Sequence, residues 1–258
     1  MLFCLDIGNS QIYGGIYDNG NFVKTLRINT KIGWSEDQLG IFLLTYLREA
    51  GINPESIEAF LVSSVVPSVD FTIKTAVKKY FNAIFFEIKP GVKTGIILDK
   101  YKNPSEIGAD LVVASIAASN KFPSQNIIII DMGTATTITT INSKKEFLGG
   151  SIIPGIKTQM SAISSSAEKL FSVEITKPSV FMGKTTQAAV QSGIINGHFG
   201  SIKYIIEGTK KELFENEEAL VIATGGIAGL FDKSGLFDHY FPDLILEGLV
   251  VAYGINQR

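Results

Sequence analysis

Two carboxylates stand where an apolar stretch gives way to glycine, Asp6 in DIGNS and Asp131 in DMGTATT, and a third, Asp110 in EIGAD, follows a glycine and precedes an apolar run. A buried strand ending in Asp-x-Gly offers two kinds of group at one place. The glycine lets backbone N–H groups approach an anion with no side chain in the way. The carboxylate can hold Mg²⁺ or its waters, which phosphate chemistry requires. Asn9 and Ser10 add side-chain donors after the first glycine, and Thr134, Thr136 and Thr137 add hydroxyls after the second. Either turn alone is equally readable as an ordinary β-turn; facing each other across a cleft, the two would clamp a triphosphate. No G-x-x-x-x-G-K-[ST] occurs, so a P-loop is not the device. His198 and His239 are far apart in sequence, which argues against a zinc site or a Ser-His-Asp triad. Acid–base work therefore falls to carboxylates. The lone Cys4 can make no internal disulfide and reads as core packing.

The elements that would position these residues are visible in the hydrophobic pattern. Residues 2–5 form a short buried run, 11–17 a second strand, and 21–28 a third after the hairpin signal Asp18-Asn19-Gly20. Leu39, Leu43, Tyr46 and Leu47 give residues 35–50 a helical spacing. A buried strand over 60–65 closes at Pro67, a helix follows over 69–80, and 84–88 is a strand. The second half repeats the scheme: Ile127, Gly133 and Phe147 follow Leu2, Gly8 and Phe22 at a common offset of 125. Residues 220–223 form a later buried strand running into Thr224-Gly225-Gly226. The expectation is α/β, with two similar ribonuclease H-like lobes of mixed sheets flanked by helices. They divide near Ser119 into 1–118 and 119–258.

Composition sets the class. The chain has 258 residues, 45% of them apolar and 19% charged, enough for a substantial core. Net charge is −2 with the signs mixed, so no basic stripe favours nucleic acid or a lipid surface. No apolar run approaches the ~20 residues that span a bilayer. Asp6 interrupts the first apolar stretch and no basic residue precedes it, against a signal peptide. A soluble cytoplasmic protein is expected.

Around Asp110, Asn103 can cap a helix, Pro104 suits its first position and Glu106 completes a capping box. Leu111, Ala114, Ser115 and Ala118 then read as a buried helical stripe. That places Asp110 in the second turn beside a mid-helix Gly108, which costs about 1 kcal/mol relative to alanine. A glycine there suggests that something approaches the backbone closely. Asp110 is either a solvated helix carboxylate or a functional one.

Strand–hairpin repeats bearing Asp-x-Gly in each half resemble the actin, Hsp70, hexokinase and acetate kinase superfamily, the actin-like ATPase fold. Within it, nearly the whole chain resembles the type III pantothenate kinases. DIGNS resembles that family's first phosphate motif, DMGTATT its second, Thr224-Gly225-Gly226 its adenosine motif and YKNPSEIGAD its pantothenate segment. GKTTQAAVQSG and PDLILEGL also match its wording. The resemblance implies an ATP-dependent kinase acting on the 4′-hydroxyl of pantothenate, the first step towards coenzyme A. It implies Asp110 as general base, taking the hydroxyl proton. It implies ATP contacts along Asp6, Ile7, Gly8, Asn9, Ser10, Gln11, Ile12 and Tyr13, with Gly133 and Thr134 on phosphate and Gly225 and Gly226 beside adenosine. Asp6 would help hold Mg²⁺, and Asp131 a potassium (or ammonium) ion. Tyr101, Gly108, Ala109, Leu111 and Thr186 would line the pantothenate site with Asp110, although from the residues alone Tyr101 reads as a half-buried aromatic and Thr186 as a helix N-cap. A homodimer is implied as well.

Leu111 departs from the family pattern, in which arginine usually follows the aspartate and is expected to help bind the substrate carboxylate. A lost charge-assisted contact costs roughly 1.5–3 kcal/mol, or about ten- to a hundredfold in affinity. Lys102 or Lys184 are the candidates to replace it. Two other functions stay open on the residues: a non-catalytic nucleotide-binding regulator of the same fold, and a kinase for another small hydroxyl compound.

Overall fold

A computed structural model describes the chain except for residues 31–32, 167–172, 216, 233 and 258. In chain order the elements are β1 (Leu2–Ile7), β2 (Gln11–Asp18), β3 (Asn21–Asn29), α1 (Glu36–Glu49), β4 (Ala59–Ser64), α2 (Pro67–Tyr80) and β5 (Ile84–Glu87). After these come α3 (Ala109–Lys121), β6 (Ile127–Met132), β7 (Ala135–Ile141), β8 (Phe147–Pro154) and α4 (Ile156–Ser166). The chain closes with α5 (Thr186–Phe214), β9 (Leu220–Thr224), β10 (His239–Tyr240) and α6 (Leu244–Asn256).

Two compact units result. The first comprises Met1–Ile96, Asn103–Asn120 and Leu244–Arg258, the second Ile97–Lys102 and Lys121–Asp243. A division near Ser119, as the sequence suggests, places the last helix with the second half, whereas here it belongs to the first unit. In the structure α6, whose residues are apolar almost all round, packs on β1 and β4 of the first unit. Its close fit depends on Gly248, where a Cβ would run into the Val113 carbonyl of α3.

The first unit is a five-stranded sheet in the order β3-β2-β1-β4-β5, with β1 antiparallel to β2 and parallel to β4. Central β1 is covered on both faces, as its nearly unbroken apolar run requires. Phe3, Leu5 and Ile7 join Leu39, Leu43, Ile73 and Val77 of α1 and α2 in one core cluster. Cys4 alternates to the other face, where burial pushes its thiol well above the usual range and keeps it protonated. The β2–β3 hairpin turns at Asn19 and Gly20, both with positive φ, as its sequence signal requires. Helix α1 begins with a complete capping box: Gln38 N–H donates to Ser35 Oγ at 3.2 Å and Ser35 N–H to Gln38 Oε1 at 2.9 Å.

The second unit carries the same order, β8-β7-β6-β9-β10, with matching strand directions. Strand β6 follows β1 at an offset of 125 at both ends (127 − 2 and 132 − 7). Its core joins Ile128, Ile130 and Met132 to Ile194, Ile195 and Ile202 of the 29-residue helix α5. Among the described residues no helix is long and apolar enough to cross a membrane.

Removing the α1 cap isolates one local contribution to this fold. Ser35→Ala is expected to lower unfolding free energy by about 1 kcal/mol in urea denaturation. A change within error would show that tertiary packing alone fixes where α1 starts.

Candidate active site

At the C-terminal edge of the first sheet, Gly8, Asn9 and Ser10 connect β1 to β2. The Gly8 N–H closes the turn on the Gln11 carbonyl at 3.0 Å. Thr30, beyond β3, occupies the turn's carbonyls: its N–H donates to Ser10 at 3.1 Å and its hydroxyl to Gly8 at 2.7 Å. Asn9 stays exposed beyond them. Asp6, partly buried, lies in ladder register with Tyr13 of β2 and Ser63 of β4. Ser63 is fully buried, and its hydroxyl has no hydrogen-bond partner among the described residues. The side chains of Ile7 and Ile12 belong to the core, so only their backbone groups remain for a ligand. Gln11 is exposed, and Tyr13 lies under the Arg27 guanidinium at 3.8 Å.

The expected helix over the Asp110 segment is broken in two. Pro104–Glu106 form a single 3-10 turn, and the Asn103 side chain donates to Glu106 at 2.8 Å instead of capping the backbone. The chain extends at Ile107, and α3 starts at Ala109 with Gly108 accepting from the Val112 N–H at 3.2 Å. Gly108 therefore caps the helix, and Asp110 sits in the first turn, not the second. What approaches the glycine is the Asp110 carboxylate itself: a Cβ on Gly108 would collide with its Oδ1. The same oxygen accepts from the Leu111 N–H at 2.9 Å. Burial pushes the Asp110 carboxyl above the ordinary carboxylate value, and the backbone hydrogen bonds pull against that rise. Val65, just past β4, lies 3.6 Å from the Gly108 Cβ position, so this segment meets the strand adjoining β1. Leu111 is only partly buried, whereas residues 112–119 are buried on every side; α3 is an interior helix without a polar stripe.

The second unit builds the corresponding edge more tightly. Gly133 and Thr134 connect β6 to β7, one residue fewer than in the first turn, and the Gly133 N–H closes on Ala135 at 3.0 Å. Both turn residues are exposed. Asp131 is in register with Thr137 of β7 and Thr224 of β9. Gly225, at φ +91°, lies directly on it: a Cβ there would fall 2.5 Å from Asp131 Oδ1 and 2.6 Å from the Met132 nitrogen. At Gly226 a Cβ would meet nothing within 4 Å. Tyr101 is half-buried with its ring edge-on to Phe147, the packing aromatic that its sequence position suggested. Thr186 is exposed in the first turn of α5, and Thr185 caps that helix in its place, accepting from the Ala188 N–H at 3.2 Å. Lys102 and Lys184 are both exposed.

Each unit thus gathers a carboxylate, a glycine turn and backbone donors at one sheet edge, and the first adds Asp110. Thr30, Ser63, Gln159 and His198 belong to the same constructions. No spacing marks them, because Thr30 reaches Gly8 from 22 residues away and His198 reaches Thr136 from 62. A separate cleft of about 260 Å³, between α5 and the loop at Ser234–Asp238, contains none of the residues picked from the sequence.

The family model for type III pantothenate kinase matches residues 2–208. A type III pantothenate kinase of Legionella pneumophila (strain Paris) is 45% identical over 256 residues, covering 99% of each chain. Among solved structures, the archaeal actin homolog Ta0583 matches with a TM-score of 0.55 at 16% identity, covering 100% of this chain and 99% of its own. MreB 5 of Spiroplasma citri, solved bound to AMPPNP, matches with a TM-score of 0.53 at 11% identity, covering 98% and 95%. The fold is that of the actin-like ATPases.

Paired glycine substitutions separate the two roles in the 225–226 loop. Gly225→Ala is expected to cost at least about 1 kcal/mol of stability, through its left-handed backbone and its contact with Asp131. Gly226→Ala should stay within about 0.5 kcal/mol of the parent in the same denaturation experiment. Equal effects would contradict the asymmetric packing.

Proposed function

The chain belongs to the type III pantothenate kinase family, and from that premise we propose that it transfers the terminal phosphoryl group of ATP to the 4′-hydroxyl of pantothenate. The product, 4′-phosphopantothenate, opens the route to coenzyme A. The observation that carries this is Asp110, a carboxylate held over Gly108 with one oxygen on the Leu111 N–H and its basicity raised by burial. Phosphoryl transfer asks a protein mainly to position the reactants and to stabilise charge. Within hydrogen-bond reach of the acceptor hydroxyl, such a carboxylate suffices as the base. The hydroxyl oxygen bonds to the γ-phosphorus as its proton passes to Asp110, and the bond from phosphorus to the β–γ bridging oxygen breaks to release ADP.

Gly8, Asn9, Ser10, Gln11 and Tyr13, with the backbone of Ile7 and Ile12, are assigned to the ATP phosphates on the first unit. Gly133 and Thr134 are assigned to phosphate on the second, and Gly225 with the open face at Gly226 to adenosine. Kinases of this kind take their nucleotide with a divalent cation, which neutralises charge on the phosphates. Among the described residues no cluster of three or more His, Cys, Asp or Glu could hold a metal ion. A divalent cation bound with a nucleotide is held largely by the phosphates and its own waters, and one or two protein carboxylates are enough to complete its site. The Ser63 hydroxyl, paired with Asp6 in the ladder and without a hydrogen-bond partner among the described residues, is assigned as a donor to such a water. Asp6 is therefore assigned to Mg²⁺ and Asp131 to K⁺ or NH₄⁺. Tyr101, Gly108, Ala109, Leu111 and Thr186 are assigned to pantothenate, with Leu111 unable to pair with its carboxylate. A cytoplasmic homodimer completes the proposal.

Incubation with ATP, Mg²⁺ and K⁺ tests it, with ADP formation expected only when pantothenate is added. Nucleotide binding without turnover would favour a regulator, and turnover with a different alcohol alone would reassign the acceptor. The sign of the pH dependence follows from Asp110: the base must be ionised, so kcat/KM for pantothenate should fall as pH drops through a pKa above the ordinary aspartate value. A profile that stays flat down to the ordinary carboxylate range would remove Asp110 from that role.

A further inference from the structure

The second glycine turn is enclosed by a chain of hydrogen bonds that runs through α4 and α5. The Thr134 carbonyl accepts from the Gly155 N–H at 3.0 Å and from the Thr158 hydroxyl at 2.6 Å. Gly155 accepts in turn from the Gln159 N–H at 2.9 Å, in the first turn of α4. The Gln159 side-chain nitrogen then reaches two atoms, the Pro154 carbonyl at 2.7 Å and His198 Nδ1 at 2.8 Å. His198, on α5, places its other nitrogen, Nε2, 3.0 Å from the Thr136 hydroxyl on β7. The chain leaves the turn at Thr134 and returns to it at Thr136.

Its protons can be assigned. The Pro154 carbonyl only accepts, so the Gln159 atom beside it is the amide NH₂, which also donates to Nδ1. Nδ1 is then an acceptor, and the imidazole carries its proton on Nε2, donating to the Thr136 oxygen. His198 and Thr136 are each 1% exposed, and burial lowers the histidine's proton affinity. Protonation at Nδ1 would set an N–H against the Gln159 NH₂.

We propose that His198 is a positioning residue for phosphate binding: through its Nε2–H it fixes Thr136, and with it the β7 flank of the 133–134 turn, in the conformation that receives the ATP phosphates. This rests on the assignment of Gly133 and Thr134 to phosphate. A two-residue turn tied at one flank through α4 and at the other through α5 has little freedom to shift. A histidine that merely satisfied the core would affect stability without singling out the nucleotide.

The test has two arms. With only His198 and His239 in the chain, imidazole ¹H–¹⁵N NMR of the intact protein reads the tautomer directly. Nε2–H on a neutral His198 is expected, and Nδ1–H or a charged ring would overturn the proposal. Steady-state kinetics supplies the second arm. His198→Phe and the nearly isosteric Thr136→Val should each raise KM for ATP about tenfold, roughly one hydrogen bond's worth, and leave KM for pantothenate within twofold. The double variant should be no worse than the poorer single one, because both remove one contact. His198→Gln, which retains a donor, should recover part of the loss. Additive effects, or an unchanged KM for ATP in a folded Thr136→Val protein, would overturn the proposal. If instead the parent protein itself bound no ADP in calorimetry, the phosphate assignment would fail and the positioning role with it.

Discussion

A carboxylate folded back onto a glycine is the contact on which the Asp110 segment is built. Asp110 occupies space above Gly108 that any side chain would fill, and that contact explains why the helix cannot run through. The glycine ends the 3-10 turn, caps α3 and leaves the carboxylate in the first helical turn, where the Leu111 N–H reaches it. Two opposing effects then set its proton affinity. Desolvation disfavours the charge and wins; the backbone donors favour the charge and moderate the rise. A carboxyl whose folded pKa exceeds its unfolded one stabilises the fold fully below the unfolded value, and that contribution is lost as pH rises through the folded value. At neutral pH Asp110 is therefore a burden on stability, of the kind expected where a group is retained for function.

The two sheets solve one positional problem twice. A strand buried on both faces tolerates a carboxylate only near an end, and in both β1 and β6 it is the penultimate residue, next to the turn. Ladder pairing with β4 and β9 brings partners to that edge from far along the chain: Ser63 beside Asp6, and Thr224 with Gly225 beside Asp131. The turns differ by one residue and in what secures them. Thr30 holds the first with two hydrogen bonds. The second is enclosed through α4, Gln159 and His198. The two halves share one plan, and each has its own fastening.

Much of this was legible in the sequence because it is local. The hairpin at Asn19-Gly20 and the extent of α1 come from neighbouring residues and survive in the structure, and the repeat at an offset of 125 survives because each copy carries the same local pattern. What failed was also physical. Asn103, Pro104 and Glu106 have the composition of a helix start, but the following glycine and the carboxylate above it permit only a single turn. The final helix follows the second half in sequence, yet its all-round apolar surface finds its cover on β1 and β4. Residues 186–214 are helical throughout although the pattern gave no boundary for them, and Thr185 caps the helix where Thr186 was expected. Long-range hydrogen bonds such as Thr30 to Gly8 and His198 to Thr136 leave no periodic trace at all.

The central claim, that Asp110 takes the acceptor's proton while the glycine turns hold the nucleotide, separates two measurable quantities. ADP affinity and pantothenate-dependent turnover measured side by side on the parent and on Asp110→Asn address it most directly. Affinity within about twofold and turnover lower by roughly 10²–10⁴ are predicted, since only the proton transfer is removed. Turnover close to the parent's in a variant that still binds ADP would contradict the account.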